Sequence, residues 1–224
     1  MPPPFWHQSF GIDIAFGIVI SVICFLVYFR TKELYNLSSH KGIKYFSYAF
    51  LFFGLSFFVK LLLPISGIFL ERSFLTFQIS GFIMGFLGIM AMLCLIYSLL
   101  WKRFRERKFN HVLYLALIAL LVTSTTLFGR ARFLVFLLQA LLFSIVLIIS
   151  LVSYRGRKKV GHSIQLHVLY ILLAGSLIAN VAALFASRLS FFVGLTLHAT
   201  SIILFLIILC KVIEKTGKNG KKKG

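Results

Sequence analysis

Seven runs of about 20 mostly apolar residues divide this chain, and they constrain its fold more than any other feature. They are Phe10–Phe29, Tyr45–Ile65, Leu75–Leu100, Val112–Phe128, Phe133–Tyr154, Leu166–Ala186 and Phe191–Cys210. A helix that crosses a hydrocarbon core of ~30 Å, rising 1.5 Å per residue, needs about 20 such residues. The runs are continuously apolar, whereas the strands of a membrane barrel alternate. The expected fold is therefore all-α, a polytopic bundle of seven transmembrane helices. Only 13% of the residues are charged, where a soluble domain has roughly a quarter. The 26 phenylalanines could not be hidden from water in a soluble fold of this size. Residues Met1 to Gln8 carry no Lys or Arg, so the first run lacks the basic start of a signal peptide and reads as an uncleaved helix.

Charge sets the expected orientation. The segments Arg30–Lys44, Lys102–Lys108 and Arg155–Lys159 and the tail from Lys211 hold four, five, four and six Lys or Arg, nineteen in all. The opposite side holds Arg72, Arg130, Arg132 and Arg188, and Lys60 falls inside a run. Lys and Arg stay on the cytoplasmic side, so the carboxyl terminus is expected inside and the amino terminus outside, in a cell membrane. All eight tyrosines (Tyr28, Tyr35, Tyr45, Tyr48, Tyr97, Tyr114, Tyr154 and Tyr170) fall near run ends on the cytoplasmic side, where an amphipathic ring suits the interface. The net charge of +19 is thus topological, and no nucleic-acid partner is expected. Residues 1–210 form the membrane domain. Residues 211–224 are expected to be a disordered basic tail drawn to anionic lipid at the cytoplasmic face. Within the connection Arg30–Lys44, Asn36-Leu37-Ser38-Ser39 reads as a turn or helix cap.

The rare polar side chains within the runs share a layer near the outer face. Asp13, Lys60, Gln78, Thr123 to Thr126, Gln139, Asn180 and His198 supply it, one position or group from each of the seven runs. Polar groups at such depth cost free energy and usually face the bundle interior or a wet cavity. Asp13, Lys60, Gln139, Asn180 and His198 are accordingly candidate ligand-binding residues, with Asp13 and Lys60 close enough in depth for an ion pair. The other reading is structural: Gln, Asn and Thr stitch helices together, and Asp13 and Lys60 snorkel to the interface. Gly81, Gly85 and Gly88 on the third run mark a face where a second helix can approach closely.

No catalytic constellation or phosphate loop stands out, so the chain is not expected to be an enzyme. His162 and His167 are five apart, a poor spacing for one helix face. Cys24, Cys94 and Cys210 are not at metal spacing. Neither a metal nor a cofactor is expected. The seventh run contains no lysine to carry retinal. A weak echo links Tyr48…Gly54-Leu55-Ser56 to Tyr170…Gly175-Ser176, offset by one residue and without the Pro-Gln signature of three-plus-one-plus-three carriers.

The stretch Leu34-Tyr35, Lys41-Gly42-Ile43, Tyr45-Phe46, Ala49-Phe50 and Phe52-Phe53 resembles small prokaryotic, largely archaeal, seven-helix membrane proteins. It also resembles the seven-helix input domain of some sensor histidine kinases. That likeness implies a sensory or signalling role. The chain closes on a short lysine tail, so a signal would pass to a separate partner protein. The leading expectation is a receptor- or sensor-like bundle with an outward-facing pocket. A small-solute transporter and a structural membrane subunit are the alternatives.

Overall fold

The computed structural model describes residues 5–69, 74–101, 111–124, 132–155, 168–173, 175–176, 178 and 191–220. They form α1 (Phe5–Ser38), α2 (Lys41–Phe69), α3 (Phe74–Leu100), α4 (His111–Ser124) and α5 (Arg132–Arg155). A sixth helical stretch, α6, comprises residues 168–173, 175–176 and 178, and α7 runs Phe191–Gly220. Among the described residues there is no strand. Four stretches are long and apolar enough to cross a membrane: Ile14–Asn36, Lys41–Leu62, Gly81–Leu100 and Phe192–Glu214. Val112–Ser124 and Leu141–Val152 are apolar but shorter.

The connection between α1 and α2 shrinks to two residues. Ser39 takes a left-handed backbone at φ 53°, and its N–H donates to the Tyr35 carbonyl at 2.7 Å. This is the helix-ending conformation that caps orphan carbonyls. A left-handed serine costs roughly 1–2 kcal/mol, which the packing of the two long helices offsets. Most of the basic segment Arg30–Lys44 is therefore helical extension rather than loop.

Two side-chain bonds fix the α1–α2 register. Ser21 Oγ donates to the Gly54 carbonyl at 3.0 Å, and Ser47 Oγ donates to the Tyr28 carbonyl at 3.2 Å. Residues 21 and 28 are seven apart on α1, as 54 and 47 are on α2, so the pair runs antiparallel with a heptad-like seam. Gly54 makes this approach possible: a Cβ there would lie 3.2 Å from the Cys24 Cβ. α1 packs between α2 and α7, and α2 packs between α1 and α3; α3 also meets α4 and α5.

The core joins Phe16, Ile20, Cys24 and Val27 of α1 to Phe46, Phe50 and Phe53 of α2, and to Ala91, Cys94 and Leu95 of α3. Phe143 and Val146 of α5, Leu169 and Tyr170 of α6, and Phe205 and Ile208 of α7 complete it. Large apolar side chains such as Leu121, Val152 and Phe192 are instead exposed, each by more than 60%. Such a surface suits lipid rather than water. On α7, Gly194, His198, Ser201, Phe205, Ile208 and Val212 are all buried, at spacings of three and four. Because that seam continues past Cys210 to Val212, the helix continues too, through Gly220. Residues 211–220, expected to belong to a disordered tail, are thus helical, and residues 221–224 lie outside the described residues.

Candidate functional site

His198 is buried on the inward seam of α7, 5% exposed. Its ring lies 4.3 Å from that of Phe16 on α1, tilted by 48°. Phe16 in turn meets Phe57 of α2 edge-on at 6.3 Å. Close by, Leu61 covers Gly17, where an added Cβ would stand 2.8 Å from Leu61 Cδ2. The imidazole thus packs on Phe16 of α1, which in turn packs on Phe57 of α2. It is a buried polar ring at the contact between α1 and α7.

The other expected residues are distributed differently. Lys60 is half-buried one turn beyond Phe57 on α2, at the same end as His198. Asp13 lies one turn before Phe16 on α1, but its side chain is outside the described residues, as is that of Gln78. Asn180, Thr125 and Thr126 also lie outside them. Gln139 is half-buried on α5 and packs on Gly88 of α3, where a Cβ would come within 2.6 Å of Gln139 Nε2. One turn along α3, Gly85 is buried, and Gly81 is partly so. The α3–α5 contact therefore runs over at least one of the three glycines, and Gln139 sits there rather than beside His198. Thr123 is fully buried and donates to its own helix, at the Ala119 carbonyl, 2.7 Å away.

A second buried polar centre lies where α2 begins and α3 ends. Ser98 Oγ donates to the Gly42 carbonyl at 2.6 Å and is 2.6 Å from the Tyr170 hydroxyl. Serine has one hydroxyl hydrogen; with that hydrogen on Gly42, Tyr170 must be the donor to Ser98. The chain Tyr170–Ser98–Gly42 thus ties α6, α3 and α2 together. Tyr170 is 1% exposed and its ring meets Phe46 edge-on at 5.3 Å. It is not the interfacial tyrosine that its place at the start of a run suggested, because a serine hydroxyl replaces water as its partner. The readable signal is Ser98 itself, with Tyr97 one of two hydroxyls in the apolar stretch Gly81–Leu100.

Five other tyrosines do gather at this end. Tyr45 contacts Tyr97 at 4.2 Å and Tyr48 at 6.3 Å, and Lys44 Nζ lies over the rings of Tyr35 and Tyr48 at 5.9 and 5.8 Å. Lys32 Nζ lies 6.0 Å over Tyr28. Among the described residues, no three His, Cys, Asp or Glu side chains are grouped as a metal site.

An uncharacterized protein of Archaeoglobus fulgidus is 34% identical to this chain over 230 residues, an alignment covering 96% of the chain and 100% of that protein. The chain belongs to its family. The alignment runs nearly the full length of this chain and the whole length of that protein. No family model matches the chain, and no solved structure matches it.

Proposed function

We propose that this family member is a non-enzymatic, receptor- or sensor-like membrane bundle. In this reading seven helices span, the amino terminus lies outside, and a ligand enters from the outer face toward His198. The observation that carries the reading is the imidazole on the buried seam of α7, against Phe16 and beside the α1–α2 pair. A buried ionisable group within a membrane bundle is a functional-site hypothesis by default. Four long apolar stretches support the membrane setting. The gathering of Tyr28, Tyr35, Tyr45, Tyr48 and Tyr97 with Lys32 and Lys44 at the end opposite His198 supports the orientation. Asp13, Lys60 and Asn180 are the further candidates for the outer pocket. Gln139, seated on α5 against α3, would act on a separate wall. The sensor-kinase likeness of the first two helices accords with this role, with output through a separate partner.

The test is accessibility. In a chain with Cys24, Cys94 and Cys210 replaced by Ala, a His198→Cys residue should react with a membrane-impermeant methanethiosulfonate added to the amino-terminal side of sealed vesicles. A Lys222→Cys residue should react only from the other side. Labelling of position 198 from the carboxyl-terminal side alone, or from neither side, overturns the outer pocket. Measurable flux of small solutes through proteoliposomes would replace the receptor reading with a transporter.

A further inference from the structure

The corner between α1 and α2 gathers cations without matching anions. Arg30, Lys32, Lys41 and Lys44 surround one acid, Glu33, and Glu33 Oε2 is taken by Arg30 Nη1 at 3.1 Å. Lys32, Lys41 and Lys44 have no carboxylate partner among the described residues. Long lysine side chains are normally free to wander, but two of these are restrained. The Lys44 ammonium is held between the Tyr35 ring of α1 and the Tyr48 ring of α2, and Lys32 is held over Tyr28. Cation–π contacts at such distances are attractive and reduce the ordering cost of binding an anion. A ring takes no hydrogen from an ammonium as a carboxylate would, so the three lysine N–H donors remain to be matched by an anion.

A second observation says what kind of anion fits. The corner lies at the ends of the apolar stretches Ile14–Asn36 and Lys41–Leu62, at headgroup depth for helices that cross a bilayer. From Lys32 an exposed apolar strip runs down α1 through Phe29, Leu26, Val22 and Ile18, at spacings of three and four. A cationic head above an apolar strip is the complement of a phospholipid. We propose that the α1–α2 corner binds one anionic membrane phospholipid, its phosphate against Lys32 and Lys44 and its chain along the α1 strip. The site is distinct from the His198 pocket and stands or falls separately from it.

Trp101 reports on this corner, since its ring lies 4.5 Å from that of His40 in the two-residue connection. The chain has two tryptophans, so Trp6→Phe leaves Trp101 alone. The Trp6→Phe protein is placed in vesicles of phosphatidylcholine mixed with bromine-labelled phosphatidylglycerol or bromine-labelled phosphatidylcholine, and quenching of Trp101 is compared. The anionic lipid should be favoured at least about fivefold, the factor expected for one basic residue near an anionic surface. Adding Lys32→Gln and Lys44→Gln should bring the two lipids to near-equal quenching. Adding Lys221→Gln, Lys222→Gln and Lys223→Gln should leave the preference unchanged. Equal quenching in the Trp6→Phe protein overturns the site. So does a preference that survives loss of Lys32 and Lys44 but vanishes with the tail lysines, which would assign it to bulk charge.

Discussion

Ser98 and His198 are both polar side chains buried to about 5% exposure in an apolar bundle, yet they meet that environment in opposite ways. At Ser98 the hydroxyl accepts from Tyr170 and donates to Gly42, so every hydrogen that could be left over is used. The result is a joint: three helices are held in one arrangement, and a different arrangement would strand a donor in low dielectric. At His198 the imidazole lies 4.3 Å from the Phe16 ring of α1. Loss of either hydroxyl breaks the Ser98–Tyr170 bond, whereas an aromatic replacement at 198 can still pack on Phe16. The difference separates a polar group that builds the fold from one the fold presents.

Four substitutions, one of them repeated in a Tyr170→Phe background, test that contrast, and thermal or denaturant unfolding of the purified protein in a fixed detergent measures each. The largest loss is expected for Gly42→Val, about 3 kcal/mol, at the upper end for overpacking. A Cβ at Gly42 would stand 2.9 Å from the Trp101 ring and 3.1 Å from the Ser98 carbonyl oxygen, a backbone atom that cannot swing aside. Next comes Ser98→Ala, at about 2 kcal/mol, because it leaves a buried Tyr170 donor unmatched. In a Tyr170→Phe background the same change should cost less than about 1 kcal/mol, since no donor is then stranded. Equal costs in both backgrounds would break the claim that the two act as one unit.

A smaller effect is expected for His198→Phe. An aromatic ring still faces Phe16 and is only modestly larger than the imidazole, so stability should move by less than about 1 kcal/mol. A loss as large as that of Ser98→Ala would place His198 among the joints and remove its claim to be a site. The smallest change is expected for Gly88→Ala, within about 0.5 kcal/mol of the parent. The atom it meets, Gln139 Nε2, is the end of a flexible side chain that can turn away. A large loss there would show that Gln139 is locked in place, and would make the α3–α5 contact a joint of the Ser98 kind.

Much of the fold is legible in one dimension because hydrophobicity and length are local properties. The apolar runs located α1 to α5 and α7 before any coordinates, and Asn36 to Ser39 marked where α1 stops, with Ser39 in the left-handed conformation. Helix ends were harder. α1 runs to Ser38 and α7 to Gly220, each well past its apolar run, because polar residues continue a helix when its buried face still has something to pack against. Leu34 extends the inward face of α1, and Val212 extends that of α7. The candidate site was only partly legible. A periodic pattern shows that His198, Gln139 and Tyr170 are unusual for their helices, but not which neighbours they meet.

Hydropathy and the placement of Lys and Arg thus determine a helical chain with stretches long and apolar enough to cross a membrane, and with one basic and tyrosine-rich end. Those properties follow from transfer free energies, which each segment carries by itself. Tertiary structure alone decided that Tyr170 turns inward to Ser98, that Gln139 lies on Gly88 of α3, and that His198 lies on Phe16 of α1. Each depends on the rotation and register of two helices packed side by side. Rotation and register are set by close contacts such as Ser21 with Gly54, between residues far apart in the chain.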